Sequence, residues 1–178
     1  TGECLLSPVQ ERNPGLGREE YEALFEGWLG IRRTIWLNRG IHGDDTHGHV
    51  DDLARFTGPN TVVLAVEDDP ASPNYEPLQE NLRLLRRARN LDGRPLRVVT
   101  LPMPKPVAYD RQPLPASYAN FYIANSVVLV PVFHDPADRI ALNTLQKLFP
   151  DRQVIGIYSV DLVLGLGTLH CMTMQEPA

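Results

Sequence analysis

Three amphipathic helical patterns recur at equal intervals along this sequence of 178 residues. The patterns begin near Arg18, Pro77 and Pro136, so each starts 59 residues after the one before it. In every copy, apolar residues return at three- and four-residue spacing, which is typical of a helix that covers a sheet with one face. A repeat of this length restricts the chain to small α/β units placed side by side.

Short apolar runs on both sides of each helix predict strands. The preceding runs are ECLL at 3–6, TVVLAVE at 61–67 and SVVLVPVF at 126–133, and the following runs are TIWL at 34–37, RVVTL at 97–101 and QVIGIY at 153–158. We therefore predict an α/β fold of repeated strand-helix-strand units, with a Gly/Pro-rich loop and a further strand between copies. The units are expected to run roughly from 1 to 47, from 48 to 110 and from 111 to 178.

Three segments occupy equivalent places after the last strand of each unit. They contain GDDTHGHVDD at 43–52, LPASYANFYIAN at 114–125 and GLGTLHCMT at 165–173. Because equivalent loops of a repeat emerge on the same side, we expect these segments to meet at one site.

The first segment contains four Asp, two His and two Gly in ten positions. On a strand, His49 and Asp51 would point to the same face, because side chains two apart share a face, and His47 would join them. Two imidazoles and a carboxylate suit Zn²⁺ or Fe²⁺, so a metal site is one interpretation. Catalysis without a metal is a second, and solvated turn and cap residues are a third. The spacing does not decide between them.

The third segment places Cys171 in a glycine-bearing loop. Such a cysteine, with a His and carboxylates on a neighbouring loop, is the set that a thiol nucleophile requires. The alternative is a small buried apolar residue, as most lone cysteines are. In the second segment, Asn120 is a candidate for lining a substrate channel.

Composition argues against two classes of partner. The formal net charge is −5 and the pI about 5.5, whereas nucleic acids and anionic membranes require clustered positive charge. The longest apolar run, SVVLVPVF, is much too short to cross a bilayer. With only Cys4 and Cys171 and no secretory signal at its start, the chain is expected to be cytoplasmic. Its initial Thr suggests a piece of a longer polypeptide.

Three motifs resemble one enzyme family. The stretches GDDTHGHVDDLARF, LPASYANFYIANSVVLVPVF and GLGTLHCMTMQEP are similar to the C-terminal half of agmatine deiminases, also called bacterial-type peptidylarginine deiminases. This similarity runs from ECLLSPVQERNP to the last residue. The family belongs to the guanidine-modifying superfamily, whose pentein fold is a five-bladed pseudo-symmetric α/β propeller. The resemblance implies that residues 1–178 are the C-terminal part of a single deiminase domain and supply about three blades.

The resemblance also implies an activity and its residues. The reaction would convert agmatine and water to N-carbamoylputrescine and ammonia, without a metal or an organic cofactor, in polyamine biosynthesis. Cys171 matches the nucleophile, His49 the general acid/base, and Asp51 a carboxylate that holds the guanidinium. The further candidates for contact with the substrate are Asp45, Asn120 and Gly167.

The chain departs from the family pattern at several positions. The family's GGGNIHC is GLGTLHC here, so Leu166 and Thr168 replace a glycine and an amide beside the thiol. His47 stands where GDDTDGH has an Asp, and TQQ is Thr173-Met174-Gln175. Two other carboxylates of the family, an Asp and the Glu of an EGG-type motif, lie upstream of this sequence. A missing N-terminal half is therefore an implied partner.

Three alternatives to agmatine deimination remain open at this point. The substrate could be arginine or peptidylarginine. The chain could instead be a non-catalytic half-domain that binds its missing half or, as a homo-oligomer, a copy of itself. The last alternative is a metal-dependent hydrolase built on His47, His49 and Asp51.

Overall fold

A computed structural model describes residues 1–9, 12–45 and 47–176 of the chain. In chain order its helices are α1 (Gly2–Leu6), α2 (Arg18–Leu29), α3 (Tyr75–Arg87) and α4 (Ala137–Leu148). The strands are β1 (Ala54–Gly58), β2 (Thr61–Val66), β3 (Arg97–Pro102), β4 (Ala108–Tyr109), β5 (Gln112–Pro113), β6 (Tyr122–Ile123), β7 (Val127–Val132) and β8 (Gln153–Tyr158). Two 3₁₀ turns cover Val50–Asp52 and Leu162–Gly165. None of the helices in these described ranges is both long and apolar enough to span a bilayer.

Two three-stranded sheets have the same topology, with strand orders β1-β2-β3 and β6-β7-β8. In each sheet an antiparallel hairpin is followed by a helix and then by a strand that runs parallel to the second hairpin strand. A helix is the usual crossover between parallel strands. The predicted strand-helix-strand pattern is therefore present around α3 and around α4, and the four strands beside these helices lie where the sequence places them.

Strand β2 is buried on both faces, which explains its continuous apolar run. Val62 and Leu64 belong to a core beneath α3, whereas Val63 belongs to a second core with Leu101 and Leu145. Side chains alternate across a strand, so neighbouring residues of β2 enter different cores. Helix α4 also packs against β3 as well as β8. The two ββαβ units consequently share one interior.

The predicted strands at 3–6 and 34–37 are wrong. Residues 3–6 lie in helix α1, and residues 34–37 belong to no strand in the described chain. The first amides of the helix bind the end of the second segment. Gly2 donates to the carbonyl of Leu37 at 2.7 Å, and Glu3 donates to that of Asn38 at 2.9 Å. These carbonyls are thus bonded to a helix end rather than to a neighbouring strand.

Helix α2 has no sheet to cover among the described residues. Its one buried side chain, Tyr21, packs edge-on against Trp36 with ring centroids 6.3 Å apart. The indole nitrogen of Trp36 donates to Glu22 Oε1 at 2.7 Å. Near the end of the helix, Trp28 is 84% exposed and Leu29 66% exposed. The first predicted unit therefore has its helix without the sheet that accompanies α3 and α4.

Candidate active site

The turn that carries His49 is fixed by a buried carboxylate. Asp44 Oδ2 accepts hydrogen bonds from the amides of Gly48 and His49, both at 2.9 Å. The amide of Gly40 donates to Glu3 Oε2 at 2.6 Å. Gly48 has a φ of 89°, and any side chain on Gly40 would collide with the Gly48 backbone. Asp44 and Gly48 of the polar cluster thus shape the turn, and the turn presents His49.

His49 and Asp51 do not lie on a strand, so the geometry predicted for them is wrong. Residues Val50–Asp52 form a 3₁₀ turn directly after His49, and the amide of Leu53 closes it by donating to the carbonyl of Val50 at 3.0 Å. The two side chains nevertheless reach the same cleft. A tight turn, rather than strand alternation, brings them to it.

A cleft of about 510 Å³ has His49, Asp51 and Cys171 on its wall. The Sγ atom of Cys171 donates to Asp51 Oδ2 at 3.2 Å, across 120 positions of sequence. The structure thus brings together the three residues predicted to be catalytic. The cleft is also lined by Thr1, Cys4, Leu5, Val50, His170 and Thr173.

The loop before Cys171 contains two unusual positions. Leu166 adopts the left-handed conformation, with φ 63° and ψ 26°, which is unfavourable for a residue with a side chain. Gly167 is buried, and a Cβ atom added there would lie 2.7 Å from Cys171 Cβ and 2.9 Å from its Sγ. Gly167 does not line the cleft. It leaves room for the thiol, whereas the sequence suggested contact with the substrate.

Asn120 joins the turn to the loop from beneath the cleft. Its Nδ2 donates to Asp51 Oδ2 at 3.1 Å, Asp52 Oδ1 at 2.9 Å and Cys171 Sγ at 3.0 Å. Its Oδ1 accepts from the Thr168 hydroxyl at 2.9 Å and from the His170 amide at 3.0 Å. Asn120 is fully buried, so the expectation that it lines the substrate channel is corrected. Both ends of its amide are occupied by the two segments that it holds together.

His170 is the residue of the site that the sequence analysis missed. Its Nδ1 lies 2.7 Å from Asp51 Oδ2, and its side chain is 35% exposed. A histidine next to Cys171, in a loop already suspected of carrying a nucleophile, was the available signal. Its partner could not be inferred, because Asp51 lies 119 positions away.

The carboxylates and the thiol have different proton affinities. Burial raises the pKa of Asp51, but hydrogen bonds, led by that from His170, outweigh it and leave the pKa lowered. Burial, followed by the charge of Asp51, raises the pKa of Asp52 to about 8. Burial raises the pKa of Cys171 to about 11, against an opposing hydrogen bond from Asn120. At neutral pH the site therefore combines an ionised Asp51, a protonated Asp52 and a protonated thiol.

Two of the remaining candidates do not reach the cleft. Asp45 is exposed and lies outside the cleft wall, as does His47, whose φ is 55°. In the described residues, no group of three His, Cys, Asp or Glu side chains is arranged to hold a metal ion. The ligand set proposed from His47, His49 and Asp51 is therefore not assembled.

His49 also contacts a guanidinium of the chain itself. Arg12 Nη2 lies 3.0 Å from His49 Nε2. A guanidinium can only donate, so Nε2 is the acceptor of this bond. The nitrogen of His49 can thus approach a guanidinium nitrogen at hydrogen-bond distance.

Residues 1–177 match the Porphyromonas-type peptidyl-arginine deiminase family. The chain belongs to this family. Agmatine deiminase from Pseudomonas fluorescens is 38% identical over 196 residues, which cover 100% of this chain and 53% of that deiminase. The predicted family is confirmed, and the match to about half of a relative is consistent with the predicted half-domain.

Two solved structures of the family superpose closely on the chain. Agmatine deiminase of Enterococcus faecalis gives a TM-score of 0.91 at 35% identity, covering 99% of this chain and 52% of that one. A cysteine-to-serine variant of C. jejuni agmatine deiminase, solved with substrate bound, gives 0.86 at 33% identity, with coverages of 95% and 49%. The chain therefore spans about half the length of the deiminases it matches.

Proposed function

We propose that the protein to which this chain belongs hydrolyses the guanidinium group of agmatine to a ureido group and ammonia. The observation that carries the proposal is the contact of 3.2 Å between the Cys171 thiol and Asp51, on a cleft wall shared with His49. A thiol, a carboxylate and an imidazole are the groups that such a reaction needs. Its relatives from P. fluorescens and E. faecalis are agmatine deiminases.

Asp51 would hold the cation. A guanidinium is planar and protonated at neutral pH, and a carboxylate binds it through charge-assisted hydrogen bonds. The lowered pKa of Asp51 keeps this carboxylate ionised where the substrate is charged. The bound cation would then sit close to the thiol, with one face of its plane open to the sulfur.

Cys171 would become a thiolate only when the cation is bound. With the cleft empty, the raised pKa of Cys171 keeps it protonated at neutral pH. A positive charge beside the sulfur favours the thiolate, because it offsets burial and the neighbouring carboxylates. Substrate binding and activation of the nucleophile would therefore be coupled.

The covalent steps follow from this arrangement. The thiol proton of Cys171 passes to His49, and the thiolate attacks the guanidinium carbon and forms a C–S bond in a tetrahedral adduct. His49 protonates one nitrogen, the C–N bond breaks, and ammonia leaves an S-alkyl thiouronium intermediate. His49 then takes a proton from a water molecule that attacks the same carbon. The C–S bond breaks, the sulfur takes up the proton of the new hydroxyl group, and a ureido product and the thiol are formed, while His49 returns its proton to water.

A complete site would need the other half of the domain. Helices α3 and α4 each cover a three-stranded sheet, whereas α2 leaves Trp28 and Leu29 exposed, and residues 34–37 belong to no strand among the described residues. The missing half would supply that sheet and the other carboxylates of the family, completing a five-bladed propeller of which this chain forms about three blades. We therefore expect the isolated 178-residue chain to be inactive.

Ammonia release from agmatine tests the proposal. The intact protein should release ammonia, and its Cys171→Ser variant should not, while still binding agmatine in calorimetry. An Asp68→Asn variant is the control for substitution itself, because Asp68 is exposed and lies outside the cleft. Full activity of Cys171→Ser would refute the assignment of the nucleophile. Turnover by the isolated chain would refute the need for another half.

The family description leaves a second substrate class to test. The family is named for peptidyl-arginine, which carries the same guanidinium group as agmatine on a different tail. Agmatine, free arginine and an arginine peptide should therefore be compared by kcat/KM on the intact protein. A clear preference for either arginine substrate would replace agmatine in the proposal and leave the roles of the site residues unchanged.

A further inference from the structure

The hydrogen bonds to Asp51 distinguish its two oxygens. His170 Nδ1, Asn120 Nδ2 and Cys171 Sγ approach Oδ2 at 2.7, 3.1 and 3.2 Å. Within the described residues, no neighbouring side chain donates to Oδ1. The three side-chain donors thus bind one oxygen of the carboxylate and leave the other without a side-chain donor.

We propose that His170 is a positioning residue that fixes the orientation of Asp51 so that Oδ1 faces the guanidinium. This inference rests on the proposed deimination and assigns a role to a residue outside the predicted catalytic set. The bond from His170 is the shortest of the three, and a neutral ring protonated at Nδ1 can donate it. Histidine therefore needs no charge of its own to hold the carboxylate.

The backbone of His170 is fixed independently of its ring. Its amide donates to Asn120 Oδ1 at 3.0 Å, and Asn120 is fully buried. The terminal torsion of an aspartate is soft and nearly two-fold, so a carboxylate without this donor could exchange its oxygens. A ring anchored through its backbone prevents that exchange.

The hydrogen bond from His170 to Asp51 also affects how strongly Asp51 binds the thiol proton of Cys171. Oδ2 distributes its negative charge over three donors. If the donor on His170 is removed, the bond from Cys171 to Oδ2 should become stronger. A stronger bond stabilises the thiol against the thiolate, so Cys171 should ionise less readily. The role of His170 can therefore be measured on the free thiol, without turnover.

The test compares three substitutions whose donors differ in position. His170→Asn places an N–H near the Nδ1 position, His170→Gln places it near the Nε2 position, and His170→Leu has none. Alkylation of Cys171 by iodoacetamide is followed against pH, through mass spectrometry of the peptide that contains it, so that Cys4 does not contribute. We expect roughly threefold slower alkylation near pH 8 in the Leu and Gln variants and a rate close to wild type in the Asn variant.

Catalysis by the intact protein provides the second measurement. The loss of one charge-assisted hydrogen bond should lower kcat/KM roughly 10- to 100-fold in the Leu and Gln variants, with rescue by Asn. Equal behaviour of Asn and Gln, or an unchanged alkylation profile in the Leu variant, would overturn the positioning role. If the Leu variant does not fold, the comparison of Asn with Gln decides alone. Failure of the wild-type protein to process any guanidine would refute the proposed function while leaving the alkylation result interpretable.

Discussion

Replacing Asp51 by Asn separates two roles that a carboxylate beside a thiol can have. Asp51 could activate Cys171 by removing its proton, or it could hold the cation that makes ionisation favourable. In the structure, Asp51 accepts the thiol hydrogen bond, and both this bond and its charge contribute to the raised pKa of Cys171. The geometry therefore favours the second role. Without a substrate, Asp51 opposes formation of the thiolate.

The expected change in thiol reactivity follows from the shift in the pKa of Cys171. Burial is the largest cause of the rise of the Cys171 pKa from 9.0 to about 11, so removing the charge of Asp51 should recover only part of it. A tenfold gain in thiolate corresponds to roughly 1.4 kcal/mol. Tenfold more thiolate, offset by its lower nucleophilicity, gives about threefold faster alkylation of Asp51→Asn near pH 8. Turnover of the substrate should nevertheless fall about 100- to 1,000-fold, because the cation loses its carboxylate.

Iodoacetamide alkylation against pH and ammonia release from agmatine are the two assays. Asp68→Asn is the matched control, because Asp68 is an exposed carboxylate outside the cleft and should change neither result. Faster alkylation with lost turnover would identify Asp51 as the cation holder. Slower alkylation in Asp51→Asn than in wild type would refute the reasoning, since it would mean that Asp51 activates the thiol.

Three further predictions concern the residues around the thiol. Gly167→Ala should abolish turnover and destabilise the fold by about 1–3 kcal/mol in urea unfolding, because the added Cβ lies 2.7 Å from that of Cys171; a fully active variant would contradict this. Leu166→Gly should raise the unfolding free energy by up to about 1 kcal/mol, since it relieves the left-handed conformation at a small cost in chain entropy; lower stability would contradict this. Asp52→Asn should be more stable than wild type at about pH 9 by several kcal/mol and nearly equal to it near pH 4. Because folding raises the pKa of Asp52, its contribution is fully present below about pH 4 and is lost as the pH rises through about 8; parallel stability-pH curves for the two proteins would refute the shift.

The regular structure around α3 and α4 could be predicted because its periodicity is local. Leucines 78, 82 and 85 of α3 are buried, while arginines 83, 86 and 87 are exposed, as the helical spacing predicts. Prediction from the local sequence pattern failed where the secondary structure is short or depends on tertiary contacts. The turn at Val50–Asp52 mimics strand alternation over three residues, and the segment at 34–37 has strand composition without a strand partner in the described chain.

The chemical groups of the site could be predicted from the sequence, but the hydrogen bonds that connect them could not. Resemblance supplied Cys171, His49 and Asp51, and all three line one cleft. Asn120 was expected to line a substrate channel, whereas it is fully buried. Its side chain contacts Cys171, Asp52 and Asp51, which lie 51, 68 and 69 positions away in the sequence. A local sequence pattern cannot predict contacts between residues so far apart. The pairing of His170 with Asp51, 119 positions away, could not be predicted for the same reason.

The double burial of β2 has a consequence for how the chain denatures. Because Val63 enters one core while Val62 and Leu64 on either side of it enter the other, we expect neither ββαβ unit to unfold while the other stays intact. Repeats that only touch their neighbours can fray from one end, whereas these two should unfold in one calorimetric transition that coincides with the change in fluorescence and the loss of thiol protection. A conservative substitution at Val63 would thus weaken a reactive centre that it never touches.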